Sequence, residues 1–150
     1  MIATSVAYDL VFLVHVCAAV TVVIVVIAMR SAALSVARGA DGPTQSRRFP
    51  PRTNWAARVL HVLPVTGLIM SLSGGASVAL SRPWVDVGIA CYVLAAGHLE
   101  ARTLPLEREV AASIATQGLA PSAQGRRLVA SLDALAALVA IALVAMLVQF

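Results

Sequence analysis

Residues 10–29 read LVFLVHVCAAVTVVIVVIAM, a run that contains no Asp, Glu, Lys or Arg. A helix of about 20 apolar residues crosses the roughly 30 Å hydrocarbon core of a bilayer. The many β-branched residues would favour a strand in water. In lipid that preference is overruled, because backbone N–H and C=O groups must pair within their own segment. The stretch therefore predicts a membrane-spanning helix.

Three further apolar runs follow the first. The predicted spans cover about residues 6–29, 55–80, 84–104 and 128–150, joined by a short link near Pro83 and by longer cytoplasmic loops at 30–54 and 105–127. We therefore expect residues 1–150 to form a single transmembrane domain. The expected fold is all-α, an integral membrane four-helix bundle with helices running up-down-up-down.

The composition supports a membrane protein. Hydrophobic residues make up 60% of the chain and charged residues 12%, against about 45–50% and about 25% in soluble domains. These values exclude a disordered chain, a collagen and a disulfide scaffold, and they argue against a soluble enzyme. All eleven basic residues are arginine, which together with abundant Ala and Val is typical of a GC-rich bacterial genome. We expect a multi-pass protein of the bacterial cytoplasmic membrane.

The arginines predict the orientation of the helices. They concentrate in the two long loops, whereas the two ends of the chain carry none. Because cytoplasmic loops are rich in Arg and Lys, both termini should lie outside. The first apolar run lacks a positive leading segment and is too long for a signal peptide, so we expect a retained helix. In a membrane protein the formal charge of +4 indicates contact with anionic lipid, and no nucleic-acid partner is expected.

The second long loop carries Leu106, Val110 and Ile114 at four-residue spacing. This spacing predicts a short helix with one apolar side, lying at the membrane interface and ending near Gly118.

The most informative residues are the ionisable ones inside the spans. All three histidines, His15, His61 and His98, lie there, and so does Asp133. Such groups are costly in lipid and usually face the bundle interior. At about 1.5 Å per residue, His61, His98 and Asp133 lie about 8–9 Å from the cytoplasmic ends of their helices, so they should share one layer. Each lies on a stripe of small residues, which predicts that they converge.

The sequence leaves three uses for this layer open. Neutral imidazoles bind haem iron or transition metals, so His15, His61 and His98 are candidate cofactor ligands, and His61, His98 and Asp133 are a candidate metal site. Alternatively, the same side chains form hydrogen bonds between helices. A third reading is a path for protons or a solute.

Three other residues complete the candidate list. Cys91 shares the His98 side of its helix and is a candidate soft ligand, although both cysteines, Cys17 and Cys91, are more typical of apolar core thiols. Arg102 is expected to pair with Glu100 at the inner end of the third helix. No nucleophile–base pair or phosphate loop is visible, so the sequence leaves enzyme status open.

Residues Phe12-Leu13-Val14-His15-Val16, and the similar Leu60-His61-Val62, resemble the copper-resistance-D-like superfamily of small bacterial membrane proteins. That superfamily includes uncharacterised integral membrane families and the HemJ-type protoporphyrinogen oxidase. The resemblance implies a histidine of the first helix, here His15, as a ligand of haem b. The stretch from Cys17 to Ile27 has neither the Trp nor the Gly usual after that histidine, so an uncharacterised relative is the nearer likeness.

Three functions follow as expectations. The first is a redox-related membrane protein that binds haem b or a copper-type ion through its histidines, for example a His15–His98 pair across the bundle diagonal. The second is a non-catalytic accessory subunit that packs against a larger membrane complex. The third is a component of a transporter or channel. The expected partners are the lipid bilayer and either further copies of the chain or a larger membrane complex.

Overall fold

The computed structural model describes residues 2–50, 54–73 and 82–148, and this part of the chain is helical, with no strand. The elements are α1 (Ile2–Ala37), α2 (Gly42–Arg48), a 3₁₀ segment (Ala56–His61), α3 (Val62–Ser73), α4 (Pro83–His98), a π segment (Leu99–Thr103), α5 (Leu104–Gln117) and α6 (Ser122–Val148). Three helical stretches are long and apolar enough to cross a membrane, namely Val6–Ala37, Ala56–Ser73 and Ser122–Val148. The chain is therefore a helical membrane protein.

The helices extend beyond the predicted spans at the end of the molecule that holds the long connecting segments. Helix α1 has 36 residues, or about 54 Å, and continues past Met29 to Ala37. Helix α6 begins at Ser122 instead of near residue 128. The predicted loops contain α2 and α5. Apolar length marks where a span ends, but a helix ends where its backbone turns, here at Gly39 with φ 76°.

Helix α1 lies between α3 and α6, and α6 also packs against α4. The most completely buried side chains are found where the end of α1 meets the beginning of α6, and they include Ala33, Val36, Leu128 and Leu132. Elsewhere α1 leaves large apolar side chains such as Leu10 and Ile24 exposed. The molecule thus has a protein-like core at one end, and apolar surface suited to lipid over the rest.

A buried glutamine ties the connecting segments together. Gln45 in α2 is fully buried. Its Nε2 donates a hydrogen bond to the Ala40 carbonyl at 2.8 Å, and its Oε1 accepts one from the Ala120 N–H at 2.9 Å. Buried polar groups need such partners. Gln45 therefore joins two connecting segments that are far apart in sequence.

The short helix predicted in the second long loop is present as α5. It ends at Gly118 in the left-handed conformation, at the residue that the sequence indicated. Val110 and Ile114 are buried in the core with Leu104. The apolar side of α5 therefore packs against the protein. It does not lie on a membrane surface, which differs from the expectation.

The two irregular helical segments adjoin prolines. Pro105 lies at the start of α5, directly after the π segment. Proline has no N–H, and its ring clashes with the carbonyl four residues earlier, so widening the preceding turn relieves the clash. Pro64 likewise lies in the first turn of α3, just after the 3₁₀ segment. Residues 83–117 consequently form one helical stretch with a wide turn inside it.

The contact between α1 and α6 depends on a glycine. A Cβ atom at Gly125 would lie 2.4 Å from the Ala37 backbone nitrogen, and backbone cannot move aside as a side-chain end can. We expect Gly125→Ala to lower the free energy of unfolding by about 1–3 kcal/mol, measured by equilibrium unfolding in mixed detergent micelles. Gly97→Ala is the matched control, because nothing lies within 4 Å of its Cβ position. Equal stability of the two variants would contradict this packing.

Candidate functional site

Polar side chains from five helical elements lie at one height of the molecule. Hydrogen bonds link Asp133 to Arg30, Ser131 to His98, and Glu100 to both Arg58 and His61. Asp133 and Ser131 are two residues apart, as are His98 and Glu100, so all these contacts fall within about one helical turn. We call these side chains the polar layer: Arg30, Arg58, His61, His98, Glu100, Ser131 and Asp133.

His98 joins α4 to α6. Its Nε2 lies 2.9 Å from the Ser131 carbonyl and 3.0 Å from the Ser131 hydroxyl. A carbonyl only accepts, so Nε2 carries the hydrogen in this contact. The buried Thr103 hydroxyl lies 2.9 Å from the Ser131 hydroxyl and continues the network into the π segment. His98 therefore holds two helices together.

His61 joins the 3₁₀ segment to α4. Its Nδ1 lies 3.1 Å from the Tyr92 hydroxyl and its Nε2 lies 3.5 Å from a Glu100 carboxylate oxygen. The two rings meet edge to face at 6.2 Å. Both imidazole nitrogens are thus occupied by α4 and the π segment. The sequence reasoning did not single out Tyr92.

Glu100 pairs with Arg58, and not with Arg102 as the sequence suggested. Arg58 donates through Nε at 3.0 Å and through Nη2 at 3.2 Å to the two carboxylate oxygens. Residues two apart on a helix point in different directions, which separates Glu100 from Arg102. Arg102 is exposed. The sequence did offer a signal for this pair, because Arg58 lies three residues before His61 on the same side of its segment.

Asp133 does not face the interior, so the predicted convergence of the fourth helix on the bundle centre is wrong. It forms an ion pair with Arg30 at 2.5 Å, and the side chains of Asp133 and Arg30 are 49% and 43% exposed. The stripe of small residues around Asp133 is exposed too. The buried side of α6 carries Leu128, Leu132 and Leu135 instead, because large apolar side chains fill the core better than alanines. The extension of α1 beyond its predicted end places Arg30 beside Asp133.

His15 lies outside the polar layer and contacts α3. Its Nδ1 lies 2.7 Å from the Thr66 hydroxyl, which also lies 2.9 Å from the Val62 carbonyl. With the hydroxyl hydrogen on that carbonyl, Thr66 accepts from Nδ1, and the lone pair of His15 resides on Nε2. A Cβ at Gly67 would lie 3.7 Å from His15 Cε1, so glycine leaves room beside the ring.

The candidate ligands are not brought together within one chain. His61, His98 and Asp133 share a height but contact different partners, and His15 and His98 contact α3 and α6 respectively. In the residues that the structure describes, no three His, Cys, Asp or Glu side chains lie close enough to hold one metal ion. Of the two thiols, Cys91 is buried and Cys17 is exposed. The side chains of the polar layer therefore contact one another in pairs and not at one shared centre.

A cavity of about 230 Å³ lies beside the polar layer, between the first connecting segment and α5. Its lining residues are Phe49, Pro50, Asn54, Arg58, Leu104, Glu107, Arg108 and Ala111. The Asn54 amide donates to Glu107 Oε1 at 2.9 Å. Burial raises the pKa of Glu107 above its ordinary value, and the Asn54 hydrogen bond and the charge of Arg108 offset part of the effect.

The sequence matches no protein-family model, and searches of curated proteins and of solved structures return no similar protein.

The His15–Thr66 contact gives a direct test of the pairing. We expect His15→Ala and Thr66→Val each to destabilise the protein, with a coupling energy of about 0.6 and at most about 1.7 kcal/mol in a double-mutant cycle. Both side chains join α1 to α3 through this one hydrogen bond. Equilibrium unfolding in mixed micelles measures the four free energies. Additive effects, with no coupling, would show that the contact contributes nothing.

The burial of Glu107 predicts a dependence of stability on pH. Its folded pKa lies above the unfolded value, so the folded state holds the proton more tightly, and stability falls as pH rises through the interval between the two values. In lipid-free detergent we expect Glu107→Gln to be more stable than the natural chain at pH 7. The advantage should vanish below the unfolded pKa, where both side chains are neutral.

The matched control for this pH effect is Glu109→Gln. Glu109 is exposed and contacts Gln124, and it should give no such difference. A Glu107→Gln variant whose unfolding midpoint equals that of the natural chain at pH 7 would refute the burial cost.

Proposed function

We propose that the protein is a non-catalytic accessory subunit of a larger complex in the bacterial cytoplasmic membrane. In this proposal the chain is a four-helix bundle, with α4 and the π segment as the third of four spans. The outer face of α1 and α6 packs against another subunit of the complex. Both chain termini lie outside.

The exposed ion pair between Arg30 and Asp133 carries the proposal. Ionised side chains within membrane-spanning segments almost always face protein or a water-filled cavity. Here the pair sits on an otherwise apolar surface, with Ile27 one turn away on α1, and Ala137 and Ile141 following Asp133 on α6, all of them exposed. A neighbouring subunit on this face would surround the pair with protein.

The use of the histidines supports a non-catalytic role. His15, His61 and His98 each form a hydrogen bond to a side chain or carbonyl of another helical segment. Such bonds fix the heights of the helices relative to one another. The polar residues of the spans therefore have a structural use that requires no substrate.

The distribution of arginine supports the orientation. Helix α1 ends and α6 begins at the same end of the molecule, where a Cβ at Gly125 would touch Ala37. The exposed arginines of the connecting segments lie at this end, and they include Arg38, Arg47, Arg48, Arg126 and Arg127. The positive-inside rule assigns that end to the cytoplasm.

Purification from native membranes in mild detergent tests the proposal. We expect the natural chain to retain a different polypeptide in stoichiometric amount. The double variant Arg30→Gln/Asp133→Asn, which removes both charges at nearly constant volume, should lose it. Glu109→Gln is the control, because Glu109 is exposed and lies outside the α1/α6 face. Only variants whose unfolding midpoint equals that of the natural chain are compared.

Two results would contradict the proposal. A solitary monomer would show that lipid alone covers the face. A complex made only of further copies of this chain, dissolved by the same double variant, would show that the face is a homo-oligomer contact.

Binding of haem b or a copper-type ion through His15 is the second candidate. When Thr66 accepts from Nδ1, the lone pair of His15 lies on Nε2, and Gly67 leaves space beside the ring. A single axial histidine can hold a five-coordinate haem, whereas a copper-type ion would require further ligands. A visible spectrum and metal analysis of the purified protein test this candidate. A Soret band or stoichiometric copper that His15→Ala abolishes would support it, and a colourless, metal-free protein would exclude it.

A further inference from the structure

The cavity beside α5 has walls of two kinds. Phe49, Pro50, Leu104 and Ala111 supply apolar surface, whereas Arg58, Glu107 and Arg108 supply charges of both signs. At about 230 Å³ it is smaller than the roughly 300–1,000 Å³ typical of sites for drug-sized ligands and cofactors. A small polar group that carries both charges fits this lining best.

The cavity lies at the end of a membrane-spanning stretch. Asn54 and Arg58 flank the beginning of the stretch Ala56–Ser73. Trp55, between them, is 71% exposed and carries the Arg58 guanidinium over its ring at 5.1 Å. Exposed Trp side chains mark the level of lipid headgroups. The cavity therefore opens at the depth where phospholipid headgroups lie.

Glu107 and Arg108 carry opposite charges in adjacent positions, and each would contact a different part of a ligand. Among the described residues, Arg108 uses only its Nε, which donates to the Leu104 carbonyl at 3.2 Å, so its terminal nitrogens remain for a phosphate. The Glu107 carboxylate is partly buried, and within residues 2–50, 54–73 and 82–148 its hydrogen-bond donor is the neutral Asn54 amide. A carboxylate in this position repels a purely anionic headgroup and attracts an ammonium group.

We propose that this cavity binds the phosphoethanolamine headgroup of a zwitterionic phospholipid, with the phosphate on Arg108 and the primary ammonium on Glu107. Arg58, whose Nε and Nη2 are held by Glu100, adds positive charge at the phosphate side. The apolar walls contact the glycerol and the beginning of the acyl chains. The site is independent of the α1/α6 face and of any protein partner.

Native mass spectrometry of the full chain tests the proposal. The protein in mild detergent is titrated with phosphatidylethanolamine, with phosphatidylglycerol of the same acyl chains, and with soluble phosphoethanolamine. We expect the natural chain to prefer phosphatidylethanolamine over phosphatidylglycerol. Arg108→Gln should weaken both lipids. Glu107→Gln should weaken phosphatidylethanolamine alone, by roughly tenfold or more, because it removes a charge-assisted hydrogen bond to the ammonium.

Two control variants keep the test interpretable. Glu109→Gln and Arg126→Gln remove exposed charges of the same kind outside the cavity, and they should leave lipid binding unchanged. Equal or tighter binding of phosphatidylglycerol to the natural chain would overturn the zwitterionic assignment. Soluble phosphoethanolamine that binds as tightly as the lipid would overturn the membrane source of the ligand. Binding unaffected by Glu107→Gln and Arg108→Gln would overturn the site itself.

Discussion

A polar side chain on a mainly apolar helix needs a hydrogen-bond partner, and in this structure it finds that partner on another helical segment, a requirement that shapes the whole structure. Each contact of the polar layer crosses from one helical segment to another: Arg30 to Asp133, His98 to Ser131, and His61 to Glu100. Contacts between apolar side chains in lipid change little in free energy when one helix shifts along another, whereas each of these hydrogen-bonded pairs forms at one relative height only. They therefore set the register of the helices.

The sequence predicted which stretches are apolar enough for lipid better than it predicted which side chains contact one another. Among the described residues, apolar length located three stretches that can cross a membrane, Val6–Ala37, Ala56–Ser73 and Ser122–Val148, and the predicted span 84–104 is not among them. The direction of Asp133 was not predictable from its alanine-rich surroundings. An alanine-rich helix offers small residues on every side, and the decisive neighbour, Arg30, lay beyond the predicted end of the first span. Likewise, spacing alone placed Glu100 with Arg102, because the bidentate partner Arg58 is distant in sequence.

The layer also limits what the histidines can do. An imidazole that donates to a carbonyl, as His98 does to Ser131, has its tautomer fixed and one nitrogen engaged. His61 has both nitrogens engaged. His98 then has its lone pair on Nδ1, and His15 has its lone pair on Nε2, next to Gly67, when the Thr66 hydroxyl accepts from Nδ1. The histidines of the layer therefore act in hydrogen-bonded pairs, and not at a shared centre of three.

We propose that protein, and not lipid, covers the face that carries Arg30 and Asp133. A photo-crosslinking residue placed at Ala137, one turn from Asp133 on the same exposed side of α6, reports what touches that face in living membranes. The same residue at the exposed Val93 of α4 serves as the reference position. We expect a covalent adduct with a different polypeptide at Ala137 and lipid adducts at Val93. Lipid adducts alone at both positions would contradict it.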